Sequence, residues 1–334
     1  MSAGIGFILV SGIVMGMLYK TRVEQYGGHW AVKHIGLRAV QLYMLGAFSR
    51  LLLASGDYWL RAIVGRPSDL PENYWHIVEG ALLSVRYNFI YLDLLPLYAM
   101  LLLLGIAVIY LFYRGQWRWV LGLSFLLWHA GRIDPDATAL FRTGFRIIIW
   151  QFPFCLGLFF GYYRHEIAQL RRKLPVPDYV ISILLIGLAF VLLGISYQIS
   201  FNGLLSHVDW VQSNSFLFDK GSLGAGRLIA ALVIFAGLYE FVFVFWLILS
   251  SLFGWLFLAL GQRALTAYLV QGFLAYFVTH LPGFPFPGHS PVLMGFFHIT
   301  AVLFVWFMSN RLHPYIDKGF KLIFGETAVS PPSI

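Results

Sequence analysis

Asp93 sits where a polar, aromatic stretch becomes an unbroken apolar one, in RYNFIYLDLLPLYAMLLLLG at 86–105. A carboxylate at the centre of a membrane span costs roughly 2.5–3.5 kcal/mol, and less near the interface. Pro96, one turn later, loosens the backbone and leaves room for a cavity, so Asp93 reads as functional or tightly paired. Arg86, Tyr87, Asn88, Tyr91 and Tyr98 surround it in sequence. Further polar groups fall at the same expected depth. Arg132, Asp134, Asp136, Arg142 and Arg146 border one short connection, Trp150 and Gln151 follow one turn beyond Arg146, and FDKGSLGAGR (218–227) contributes Asp219, Lys220 and Arg227. Arginine offers planar, bidentate donors, so an excess of guanidinium groups over an apolar floor suits a phosphate, carboxylate or sugar-acid ligand.

Each member alone has a plainer reading. A single Arg or Asp at a span end is usually a snorkelling anchor or half of an ion pair, and Tyr87, Tyr91 and Tyr98 fit an interfacial aromatic belt. The cluster therefore carries the argument. Glu240 lies in an apolar run with Tyr239 as its polar neighbour, and a structural hydrogen bond explains it as well as a site does. His129, His280 and His298 are scattered without HxxxH or HxxE spacing, so no metal site is expected. Cys155, the one cysteine, reads as a small buried apolar residue. SAGIG and SLGAG open no βαβ unit and read as close helix packing, not as phosphate cradles.

The elements that must position these groups are membrane helices. Of 334 residues, 59% are hydrophobic and 11% charged, against about 25% charged in a soluble domain. The net charge of +8 comes from basic residues gathered between apolar runs, which the positive-inside rule explains without nucleic acid. The expected fold is an all-α, polytopic transmembrane bundle, a single domain over 1–325 with a disordered tail at 326–334. Its nine spans fall near 4–19, 37–54, 89–112, 117–131, 145–162, 178–199, 226–249, 264–281 and 292–309. The stretch 250–263 is either interfacial or a continuation of the seventh span. A short amphipathic helix expected from Asn73 either lies in the interface or dips back toward the bundle. Lys20, Arg22, Lys33, Arg38, Arg114, Arg164, Arg171, Lys173, Arg263 and Arg311 mark the cytoplasmic side, while Asp57, Asp69, Glu79, Asp134, Asp209 and Asp219 mark the other. The C-terminus is then cytoplasmic and the N-terminus as written external. A further upstream span would return both ends to the cytoplasm.

Five stretches carry a resemblance. YLDLLPLYAMLLLL, through Tyr91, Asp93, Pro96 and Tyr98, is similar to the central YLDILPLY motif of the OpgC-type membrane acyltransferases, relatives of the type 3 acyltransferases. FILVSGIVMGMLY resembles that family's second helix, and FRIIIWQFPFCLGLFFG a later one, keeping Trp150, Gln151, Leu156 and Gly157 without the family's Asn-Pro. DKGSLGAGRLI and LGQRALTAYLVQGFL resemble its last helices, with Gln271 where a histidine is usual. The resemblance runs from about residue 4 to 280 in order.

The resemblance implies a bacterial inner-membrane enzyme that moves an acyl group, succinyl in the family's named member, from acyl-CoA to a hydroxyl of an extracytoplasmic glycan. Acyl-CoA is a donor substrate and no bound cofactor is expected. The partners are the glycan, acyl-CoA and the lipid bilayer. Asp93 would orient the acceptor or the base, Arg86, Arg146 and Arg227 would bind acidic groups, and Tyr91, Tyr98, Trp150 and Gln151 would line the pocket. In the family the first helix carries an Arg and, about ten residues on, the histidine taken as base. This sequence begins after that helix, so the expected family form has ten spans, and the chain as written would not turn over alone. The alternative is a non-enzymatic transporter of an anionic sugar or lipid precursor, or an inactive partner of a full-length acyltransferase.

Overall fold

The computed structural model describes residues 3–64, 78, 94–133, 147–200, 208–209, 213–219, 223–279 and 291–324. Among them the elements are helical: α1 Ala3–Tyr26, α2 Gly28–Val64, α3 Leu94–Tyr113, α4 Trp117–Ile133, α5 Ile147–Tyr162, α6 Arg164–Arg172, α7 Asp178–Ser200, α8 Ala225–Val244, α9 Trp246–Gln262, α10 Ala264–Thr279 and α11 Pro291–Phe324, with one 3-10 turn at Ser215–Leu217. Among the described residues six helices are long and apolar enough to cross a membrane, or seven spans if α9 and α10, bent by 90° at Arg263, make one broken span. Two of the nine expected spans are shorter than that, α4 at 17 residues and α5 at 16. The stretch 250–263 is resolved as part of α9, a helix of its own.

Glycines end two of the helices. Gly27 (φ +82°) follows α1 and donates to Val23 O at 3.0 Å. Gly115 (φ +72°) follows α3, with Gly115 N–H on Phe112 O and Gln116 N–H on Leu111 O, both at 2.9 Å. That 5→2 and 6→1 pair satisfies the last carbonyls and needs a left-handed residue, which only glycine takes without strain. Pro96 is the third described residue of α3.

The helices cluster into two compact units, Met1–Gly36 with Met100–Trp246, and Leu37–Ala99 with Leu247–Ile334. In the first unit α1 crosses α5 at two glycine pairs. A Cβ on Gly12 would stand 2.4 Å from Phe154 O, on Gly16 2.4 Å from Leu158 O, on Gly157 2.2 Å from Leu9 O and on Gly161 2.0 Å from Ile13 O. Both helices thus present small-xxx-small faces, which let backbones touch where lipid offers no hydrophobic drive to associate. Gly237 of α8 likewise meets Leu185 O of α7. A core of Ile5, Trp128, Ile149, Phe152, Leu223 and Leu228 closes one end of this unit.

In the second unit α10 packs on α11, and Trp306 donates its indole N–H to Trp255 O of α9 at 3.2 Å. Across the described helices large side chains point outward, among them Leu184 and Val191 on α7, Leu247 and Phe257 on α9, and Phe296 and Ile299 on α11. Only 11% of the α7 span and 6% of the α11 span is buried within the chain. Apolar faces of that extent are stable against acyl chains and aggregate in water. The protein is an all-α polytopic membrane protein.

Candidate functional site

The described part of the acidic motif begins at Leu94. Its backbone N–H donates to Tyr268 OH of α10 at 3.3 Å. Gly46 of α2 faces the next two residues: a Cβ there would meet Leu95 Cβ at 3.1 Å and Pro96 Cδ at 3.5 Å. Arg50, one turn along α2, is fully buried and donates Nε to Gly46 O at 3.1 Å. A guanidinium inside a membrane helix is expensive unless it meets polar groups, and such residues mark sites by default. Arg50, Tyr268 and the Leu94–Pro96 turn thus converge within one unit. The sequence reading missed Arg50, although its signal was present: an arginine within the apolar window 37–54.

Asp93, Arg86, Tyr91 and Arg146 lie outside the described residues. Tyr98 is half-buried on the second turn of α3. Gln151 is 5% exposed and saturated. Its Nε2 donates to Ser124 O at 2.7 Å and Ile148 O at 3.1 Å, while its Oε1 accepts from Ser124 Oγ at 2.6 Å and Cys155 Sγ at 3.7 Å. It clamps α4 to α5. Trp150 packs half-buried against the core that Ile5 and Trp128 share. Arg227 donates Nε to Phe218 O at 2.9 Å and borders an apolar cavity of about 200 Å³ between α7 and α8. Arg132, the described member of the expected arginine cluster, lies 4.9 Å from the Trp128 ring centroid. Its Nε and the Trp128 Nε1 are buried without a partner among the described residues.

Glu240 has more company than Tyr239. Its carboxylate is 5% exposed and takes a hydrogen bond from Ser182 Oγ at 2.6 Å and an ion pair from Arg171 Nη1. Arg171 also donates Nε to Asp178 Oδ1 at 3.1 Å. The network ties the short basic helix α6 to the first turns of α7 and to the last turns of α8. Nearby, Lys20 Nζ meets Glu166 Oε1 at 2.7 Å. Burial would raise the Glu166 carboxyl, but the Lys20 hydrogen bond and charge outweigh it and hold it below its ordinary value.

A larger cavity, about 320 Å³, opens in the second unit where α9 bends into α10. Arg38, Gln41, Arg263, Thr266, His313 and Asp317 border it. Thr266 Oγ1 and His313 Nδ1 share a hydrogen bond at 3.2 Å, and Asp317 is paired with Lys321 at 2.8 Å. His129 and His298 are exposed, and His298 Nδ1 is 2.6 Å from Met294 O. No group of three or more His, Cys, Asp or Glu that could hold a metal occurs among the described residues. His280 lies outside them.

No curated protein and no solved structure matches the chain. A family model described as "OpgC protein" matches residues 1–313, which takes in every helix discussed above up to the third-last turn of α11. The chain belongs to the OpgC protein family.

Proposed function

We propose that this protein is a bacterial inner-membrane O-acyltransferase that modifies an extracytoplasmic glycan of the periplasmic glucan type, with cytoplasmic acyl-CoA as donor and succinyl as the model acyl group. The observation that carries the reading is the family match over residues 1–313. The reaction it implies is an acyl exchange. A base takes the proton of the acceptor hydroxyl, the oxygen attacks the thioester carbonyl, the C–S bond breaks, and the thiolate leaves and is reprotonated. Charge builds on the carbonyl oxygen in between, and preorganised donors facing that oxygen lower the barrier. Arg50 is a buried cation beside Leu95 and Pro96, two and three residues on from Asp93 in sequence. In this scheme Asp93 orients the hydroxyl or the base, and Arg50 supplies positive potential beside Leu95 and Pro96.

The test is mass spectrometry of envelope glycans from a strain with the gene, one without it, and one complemented. Loss of acyl substituents on deletion and their return on complementation is the expected result. Unchanged acylation overturns the reading and leaves transport or a partner role. Asp93→Ala is expected to abolish acylation while the protein still inserts. Full acylation by that variant removes Asp93 from the site.

A further inference from the structure

Beside the bend between α9 and α10, Gln41 of α2 carries a donor with no partner among the described residues. Gln41 is 1% exposed, and its Oε1 accepts from Arg38 Nη1 at 3.4 Å. Gln41 borders the 320 Å³ cavity, and its buried Nε2 has no hydrogen-bond partner among the described residues. A buried amide N–H left unpaired costs about 1–3 kcal/mol, so the position is stable when an acceptor occupies the cavity. Around it stand two guanidinium groups, Arg38 and Arg263, and the first residues of α10, Ala264, Leu265 and Thr266, whose N–H groups precede the first i→i−4 partners of that helix. His313 faces the same space, and the one acid there, Asp317, is neutralised by Lys321. The net fixed charge of the lining is positive.

From this geometry we infer that the cavity bordered by Arg38, Gln41, Arg263 and the start of α10 binds a phosphate ester. Gln41 and Gly46 are five residues apart on α2, about 7.5 Å of helical rise. Gly46 touches Leu95 and Pro96, and Tyr268, two residues past Thr266, receives the Leu94 N–H. The anion would therefore be held about one and a half turns from the acidic motif, on the same two helices. Two sources share this chemistry: the phosphates of a coenzyme A thioester and the phosphodiester of an anionic lipid. The site itself stands on the cavity and the unpaired donor, and naming the thioester as its occupant rests on the acyl-transfer reading above.

The experiment is native mass spectrometry of the purified full-length protein in neutral detergent, titrated separately with coenzyme A and with phosphatidylglycerol. Wild type is compared with Gln41→Leu and Arg263→Gln. Leu fills the volume of an unpaired amide and Arg263 is half-exposed, so both variants are expected to melt with wild type. At least one probe is expected to bind wild type, and to bind each variant about tenfold more weakly, the value of one charge-assisted contact. Weakening with coenzyme A assigns the donor's phosphates. Weakening with phosphatidylglycerol alone assigns a lipid headgroup and keeps the anion site. No binding of either probe, or equal binding by all three proteins, overturns the proposal. Should Gln41→Leu fail to fold, Arg263→Gln alone decides by the same criterion. A failed glycan assay with intact anion binding sinks the acyl-transfer reading and not this one.

Discussion

Glu240 and Glu166 are both ion-paired acids, and their surroundings separate what each pair is worth. The Glu166 carboxylate is half-exposed against Lys20, and exposed pairs contribute about 0–1 kcal/mol. Its depressed folded value means that the pairing contributes above the unfolded carboxyl's range and fades as pH falls through the folded one. Glu166→Gln should therefore shift the melting temperature little at pH 7. Glu240 is 7% exposed in its side chain, inside an apolar helix, with Arg171 and Ser182 both aimed at it. Glu240→Ala removes the buried acceptor that Arg171 and Ser182 share and leaves both with Asp178 alone. The expected loss lies toward the lower end of roughly 3–5 kcal/mol, because Arg171 keeps 31% of its side chain in water. Thermal melts in detergent measure both, and a Glu240→Ala/Arg171→Ala double variant no worse than either single one would show that the two act as a unit. An equal, small effect at the two acids would sink the distinction. Little of this was legible in the sequence, since Arg171 and Glu240 are 69 residues apart and meet only because α7 and α8 run side by side. Gln151 shows the converse. Its residue type fits a pocket, but its four hydrogen bonds are consumed between α4 and α5.

At the scale of elements, the crossing of α1 and α5 rests on glycine. GIVMG at 12–16 and GLFFG at 157–161 repeat the same spacing, and each glycine of one faces backbone of the other. The signal was in the sequence as two GxxxG stretches, but a single chain does not say which pairs with which. The positions of the helices were more legible than their limits. Apolar windows located α4, α5, α7 and α10, as described, to within two residues, while the first window stopped seven residues short of the end of α1. They missed the lengths of α2 and α11, 37 and 34 residues, because Lys33 in one and Arg311, Asp317, Lys318 and Lys321 in the other interrupt the apolar run while the helix continues. Gly161→Ala is the sharpest test of the crossing. Its Cβ would fall 2.0 Å from Ile13 O, a backbone atom that cannot swing aside. Overpacking typically costs 1–3 kcal/mol, and here about that much or more is expected. Gly122→Ala, on an open face of α4, is the control and should gain or lose under ~1 kcal/mol. Equal melting of both variants would mean that α1 and α5 do not meet as described.

For the whole molecule, the charge bias makes a claim that a chemical label can check. Lys173 and Asp219 are both exposed and lie on either side of α7, whose 23 residues span about 34 Å, enough for a hydrocarbon core of ≈ 30 Å. The positive-inside rule puts Lys173, with Arg171 and Arg172, in the cytoplasm and Asp219 outside. Cys155 is the one cysteine and is buried, so a single introduced cysteine reports on its own position. In intact cells a membrane-impermeant maleimide should label Asp219→Cys and leave Lys173→Cys unlabelled until the membrane is opened. The reverse pattern inverts the topology, and labelling of both would deny that α7 crosses at all. The same result bears on the cavity at the α9–α10 bend. Arg38 and Arg263 carry the cytoplasmic sign in the same bias, so a Lys173 side that proves cytoplasmic is the side from which a coenzyme A thioester would reach that cavity. Were Lys173 external, coenzyme A would lose its route and an anionic lipid would become the fitting occupant.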